Sequence, residues 1–193
     1  MDISRSFSYM FKDSSWFLKV FIGGIFVMLS GIVVGIPFLL GYEIEYLRAA
    51  LGHDDIVLPE WRNVRKLFRQ GLIALFAALL YAAVLAAIVG AAFGTPTAAE
   101  LIGILCIFLF CWLPLVLIQY AHRPAFFSCF SVSDIAKRTL RHPLMYVVAL
   151  AAGFLTVASS VSLGWMSMIV GWPFVVFWGI LAESHILAQL AKL

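Results

Sequence analysis

Charge is scarce in this chain: 12% of its 193 residues are Asp, Glu, Lys or Arg, against about 25% in an ordinary soluble domain. That scarcity excludes a water-soluble globule. Long polar stretches are missing as well. The longest, residues 43–69, is too short to hold a soluble domain beside the apolar blocks, so residues 1–193 read as a single integral membrane domain. Cysteine is limited to three residues, Cys106, Cys111 and Cys129, without metal-type spacing, and these are expected to be reduced, packed side chains. The first five residues lack a basic segment leading into an apolar core and cleavage site. No removable signal peptide is therefore expected, and the first apolar block is expected to stay in the mature protein.

What is abundant is apolar surface, at 64% hydrophobic residues. Residues 20–42, 70–99, 101–121 and 143–182 contain no Asp, Glu, Lys or Arg, and measure 23, 30, 21 and 40 residues. Each is long enough to cross the hydrocarbon core, which takes about 20 apolar residues as helix. The expected fold class is all-α: a polytopic helical membrane protein with about six membrane-inserted segments in three hairpins, multi-pass in the cell membrane. The net charge is only +3, and the basic residues stand beside apolar blocks. That placement points to anionic headgroups of the lipid bilayer and away from nucleic acid.

Arg and Lys mark cytoplasmic loops. They occupy the N-terminal segment (Arg5, Lys12, Lys19), the 43–69 loop, the 122–142 loop and the C-terminus, while residues 94–99 and 159–164 have none. Each apolar block then begins and ends on one face. Residues 70–121 make two spans joined at 94–97, and residues 143–182 make two helices with a break around 159–164. The first block is harder. As one helix, residues 16–47 would be about 48 Å long, too long for one upright span and too short for two. Gly31, Gly35 and Pro37 interrupt it, since proline removes a helix hydrogen bond. We expect a short or re-entrant hairpin of helices over 16–30 and 37–50, covered by protein or a water-filled cavity at depth. One tilted, kinked span with the N-terminus outside is the competing arrangement.

A faint repeat favours the hairpin. Gly35-Ile36-Pro37-Phe38 recurs as Gly171-Trp172-Pro173-Phe174, each followed by an acid, Glu43 and Glu183, and Asp2-Ile3 and Asp134-Ile135 precede the two blocks. Gly35, Pro37, Gly171 and Pro173 are thus expected helix breaks. Three amphipathic stretches flank the spans. The first carries Ile3, Phe7, Met10 and Phe11 at helical spacing. In the second, capped by Ser133, Ile135, Ala136 and Leu140 oppose Lys137, Arg138 and Arg141. The third holds Trp61, Val64, Leu67 and Phe68. All three are expected to lie at the membrane interface.

Enzyme motifs are not found: there is no HExxH, GxSxG or GxGxxG, so catalytic residues, metal sites and cofactors are not expected. His53, Asp54 and Asp55 are adjacent, which is poor geometry for one ion. The informative polar residues are those at the ends of apolar blocks, because ionisable groups in a membrane are costly and usually face protein or water. Glu43, Glu45 and Arg48 end the first block and Glu183 and His185 the last. They form a candidate polar cluster at the inner mouth of a bundle, or they snorkel into headgroups. Ser159, Ser160 and Ser162, with Gly90, Ala91 and Gly94, read as small residues that let helices pack closely.

Taken in order, Gly41-Tyr42, Arg48, Gly52, Leu58-Pro59-Glu60-Trp61, Leu67-Phe68 and Gly71-Leu72 resemble a family of prokaryotic membrane proteins catalogued as domain of unknown function 4013. The likeness is best over the first half of the chain. It implies a membrane protein of prokaryotic source and carries no activity. Physically, Pro59, Glu60 and Trp61 read as a helix start with an interfacial anchor: Pro59 presets the backbone angle, Glu60 suits the helix dipole and Trp61 the headgroup layer. The expected function is a non-enzymatic transport or pore-forming component, with a homo-oligomer open to it. A membrane scaffold or lipid-interacting protein is the alternative.

Overall fold

The computed structural model describes residue 6 and residues 8–52, 58–91, 98–166 and 168–192. Among these there are seven α-helices and no strand: α1 (Trp16–Ser30), α2 (Gly35–Gly52), α3 (Val64–Ala91), α4 (Ala98–His122), α5 (Val132–Arg141), α6 (Pro143–Met166) and α7 (Met168–Ala191). Short 3-10 turns occupy Tyr9–Lys12, Trp61–Asn63 and Phe126–Phe130. Four helical stretches, Trp61–Ala91, Ala99–His122, Pro143–Leu163 and Gly171–Ala191, are long and apolar enough to cross a membrane. The protein is an all-α polytopic membrane protein.

The first block is a hairpin, which removes the kinked single span. α1 and α2 run antiparallel, with Phe26 stacked on Phe38 at 4.5 Å. At their far ends Trp61 bridges the pair, donating its indole N–H to the Lys19 carbonyl at 3.1 Å and stacking on Tyr42 at 4.3 Å. The turn falls at residues 31–34, inside the gap expected between helices over 16–30 and 37–50, and it turns on Val33 with φ 68°. Gly35 and Pro37 are therefore not breaks. They lie in the first turn of α2, where a proline's missing N–H would have no helical partner in any case. Gly171 and Pro173 likewise sit in the first two turns of α7, which runs through them unbroken.

The break expected at 159–164 is also absent, since α6 continues to Met166. Its hydroxyls explain this: Thr156, Ser160 and Ser162 each donate to the carbonyl four residues back, so the helix absorbs them. The 94–97 connection, His53, Asp54, Asp55 and the Asp2-Ile3 part of the repeat lie outside the described residues.

α7 is the hub. Half of its apolar window is buried, against 11% for the span containing α3. α1 crosses it where Gly23 and Gly24 meet the rings of Phe177 and Phe174. α6 packs along it with Gly153 beneath Glu183 and Gly179 beneath Ser160. α3 lies against α2 so tightly that a Cβ at Gly41 would overlap the Leu67 backbone and one at Gly71 the Pro37 carbonyl. Those glycines allow the backbones to touch. Gly90, expected to pack closely, has open space around it, and Ala91 is exposed; Gly94 is outside the described residues.

Buried side chains gather at the end of the bundle that carries the basic loops. No residue of α3 beyond Ala77 is buried, and in α4 the first is Leu115. The rest of these two helices presents Val84, Ile88, Ile104 and Ile107 outward, an apolar surface suited to lipid tails.

Candidate functional site

At the buried end, three polar groupings form around α2 and α7. Glu43 and Glu45 are two residues apart, about 200° around a helix, so they face different neighbours. Glu45 turns toward α3. It accepts from Lys66 Nζ at 2.7 Å and lies 3.6 Å from Arg48 Nη1. The Gln70 amide, oriented with its oxygen toward Arg48, accepts from Nη1 at 2.8 Å and donates to Glu45 Oε2 at 3.3 Å. Arg48 also reaches the Ala121 carbonyl from Nε at 3.4 Å, and its Nη2 is buried without a hydrogen-bond partner among the described residues.

Glu43 turns the other way, toward α7. It lies within electrostatic reach of Glu183, whose carboxylate rests over Gly153 of α6. Both acids are half-buried, and neither takes part in a hydrogen bond or ion pair among the described residues. Arg48 serves Glu45, so it is not the partner of Glu183.

His185 forms the third grouping. Its Nδ1 shares a hydrogen bond with the Tyr46 hydroxyl at 2.7 Å, and its ring stacks on Tyr9 at 4.3 Å. Tyr9 in turn donates to the Leu181 carbonyl at 3.1 Å. Burial, reinforced by Tyr46, holds the Tyr9 phenol well above its usual value, so it stays a neutral donor. The five polar residues singled out from sequence thus lie on adjoining turns of α2 and α7, divided among three environments.

Sequence reasoning missed Tyr46 on α2 itself, and Tyr9, Lys66 and Gln70, which reach the cluster from other elements. It also missed a fourth buried contact. Lys19 Nζ lies 2.6 Å from Asp13 Oδ2 and 2.7 Å from the Leu58 carbonyl, with side-chain exposures of 8% and 6% for the ion pair. Burial acts to raise the Asp13 carboxyl, and the hydrogen bonds from Lys19 and Ser15 overcome it and hold the group below its ordinary value. A lone lysine at the edge of an apolar block, six residues after an aspartate, was the available signal.

The proposed interfacial elements change character. Trp61 is a core residue, 9% exposed, because its ring is enclosed by Phe26, Tyr42 and Phe177. Pro59 accepts the Tyr42 hydroxyl at 2.9 Å, and Glu60 is exposed beside Arg62. Tyr9–Lys12 of the N-terminal stretch is a 3-10 turn whose Tyr9 and Met10 enter the core, and Phe11 is exposed, while Ile3 and Phe7 lie outside the described residues. α5 is amphipathic as expected, but Ser131 stands at its N-cap position and Ser133 lies within the helix. Its Ile135 is buried and Leu140 exposed.

Cys129 is buried and Cys106 exposed, so the latter is not packed within the protein. Burial pushes the Cys129 thiol up to about 11. Among the described residues no group of His, Cys, Asp and Glu is placed to hold a metal ion.

No curated protein and no solved structure matches the chain. One family does, described as "Protein of unknown function (DUF4013)", over residues 22–171. That match includes the Gly41–Leu67 and Gly71–Pro37 crossing of α2 on α3 and, from the aromatic cluster, Phe26, Tyr42 and Trp61. The chain belongs to the DUF4013 family.

Proposed function

We propose that this protein is a non-enzymatic component of membrane transport, and that Glu43 and Glu183 hold a proton or small cation in passage through the bundle. One observation carries the reading: two acids from distant parts of the chain, one on α2 and one on α7, lie within electrostatic reach of each other, and neither has a basic partner among the described residues. Acids inside a membrane bundle are costly and usually face its interior or water. Repulsion between two facing carboxylates is relieved by one proton or one cation between them, and carboxylate oxygens suit hard ions.

The setting proposed with it is the cell membrane, with the basic loops and both termini on the cytoplasmic face and lipid as the main partner. The outward apolar surface of α3 and α4 suits bilayer or a second copy, and nothing in the charge distribution favours nucleic acid. The test is ion flux into proteoliposomes holding the purified chain. Glu43→Gln or Glu183→Gln should lower proton or cation flux by roughly tenfold or more, as loss of an essential proton-handling group does. Flux equal to that of empty vesicles for the unaltered chain would overturn the reading. A scaffold or lipid-interacting role is the second reading, favoured by Leu140, exposed on α5 between the exposed cations Lys137 and Arg141.

A further inference from the structure

A cavity of about 500 Å³ opens where the C-terminal ends of α4 and α7 meet α5 and the start of α6. Its level in the membrane follows from the spans themselves. One candidate span ends at His122 and another begins at Pro143, and His122 and His142 both line the cavity. It therefore lies at headgroup depth.

Its charge is cationic. Arg123, Lys137 and Arg141 line it against a single acid, Asp134. That acid is engaged by Arg123 Nη1 at 3.4 Å and by the Ser131 hydroxyl at 3.0 Å. Lys137 and Arg141 are exposed, with no ion-pair partner among the described residues. The C-terminal ends of α4 and α7 bring partial negative charge to the wall, about half a unit each. With Arg123 set against Asp134, the two remaining positive charges of Lys137 and Arg141 outweigh both.

Outside the cavity the surface becomes apolar at once. Leu140 is 74% exposed and Leu144 75%, and Val147 and Val148 continue that exposed face along α6. A small anion needs only the cationic part. A molecule with an anionic head and hydrocarbon tails matches both parts, as basic pockets between spans do for anionic lipids.

We infer that this cavity is a binding site for the phosphate headgroup of an anionic phospholipid, whose acyl chains lie along the exposed face of α6. The site does not depend on the transport reading, because it shares neither Glu43 nor Glu183. The test is native mass spectrometry of the full chain in mild detergent with dioleoylphosphatidylglycerol, dioleoylphosphatidylcholine or inorganic phosphate. The unaltered protein should retain phosphatidylglycerol in preference to phosphatidylcholine. Lys137→Gln and Arg141→Gln should each reduce that preference by roughly fivefold, and Lys137→Arg with Arg141→Lys should preserve it. Arg62→Gln and Arg65→Gln, each an equal loss of charge elsewhere, should leave it unchanged. Should one of the two glutamine variants fail to fold, the other decides the matter. Equal retention of the two lipids, insensitivity to Lys137 and Arg141, or an equal effect of Arg62 and Arg65 would overturn the assignment. Displacement of the lipid by inorganic phosphate alone would also overturn it, in favour of a free-anion site.

Discussion

Tyr46 and His185 lie 139 residues apart in the chain and share a 2.7 Å hydrogen bond between the phenol oxygen and Nδ1. The contact ties the first hairpin to the last and fixes α2 against α7 at the level of the acidic pair. Tyr46→Phe removes the hydroxyl and keeps the ring. We expect a loss of about 1 kcal/mol, the usual net worth of one hydrogen bond, read as a lower melting temperature in detergent. His185→Ala should cost more, because it also removes the ring stacked on Tyr9.

Gly71→Ala should be among the most damaging small substitutions in the chain. The added methyl meets the Pro37 backbone carbonyl, which cannot swing aside as a side chain can. A cost of about 1–3 kcal/mol or more is expected from such overpacking. Gly90→Ala, with nothing within 4 Å of the new methyl, should be neutral or stabilising by up to about 1 kcal/mol through helix propensity. Thermal melts of the two variants in the same detergent check the contrast.

Asp13 supplies a pH dependence with a definite sign. Its carboxyl in the folded protein is held below the ordinary aspartate value of 3.8, so the folded state favours the charged form. The stability this contributes is fully present above that ordinary value, and it is lost as pH falls through the folded value. Asp13→Asn should be less stable than the unaltered protein at neutral pH, and the difference should shrink below about pH 4. A melting series from neutral to acid pH checks it; a gap that widened on acidification would contradict the role given to the Lys19 pair.

Both ends of the first block lie together, with Lys19 bonded to the Leu58 carbonyl. Single cysteines introduced by Ser14→Cys and Asn63→Cys, in a background without the three native cysteines, should therefore react with an impermeant thiol reagent from the same side of the membrane. Labelling from opposite sides would contradict the hairpin.

How much of this was legible in the sequence depends on the range of each interaction. The span of α1 followed from the length of the apolar block and the glycines after Ser30, because helix ends are local. The start of α2 at Gly35, ahead of Pro37, did not follow, since Pro37 is as acceptable in a first helical turn as in a break, and the residue that turns the chain is Val33, an unusual choice for positive φ. Ser160 suggested an interruption because its self-bonding to Thr156 is invisible without a backbone. Trp61 looked interfacial for a similar reason: indole suits headgroups and cores alike, and only the arrival of Phe26, Tyr42 and Phe177 decides between them. The acids were identifiable as costly residues near the ends of apolar blocks. Their neighbours on α3 and α6 depend on long-range packing that no local pattern encodes.

The most direct measurement is a double-mutant cycle on ion flux through proteoliposomes, using Glu43→Gln, Glu183→Gln and the two combined. If the two carboxylates hold one ion as a unit, either single substitution should lower flux about as far as both together, because groups that share a partner are not additive. Independent, additive losses would contradict the shared site, and flux unchanged by all three variants would contradict the account altogether.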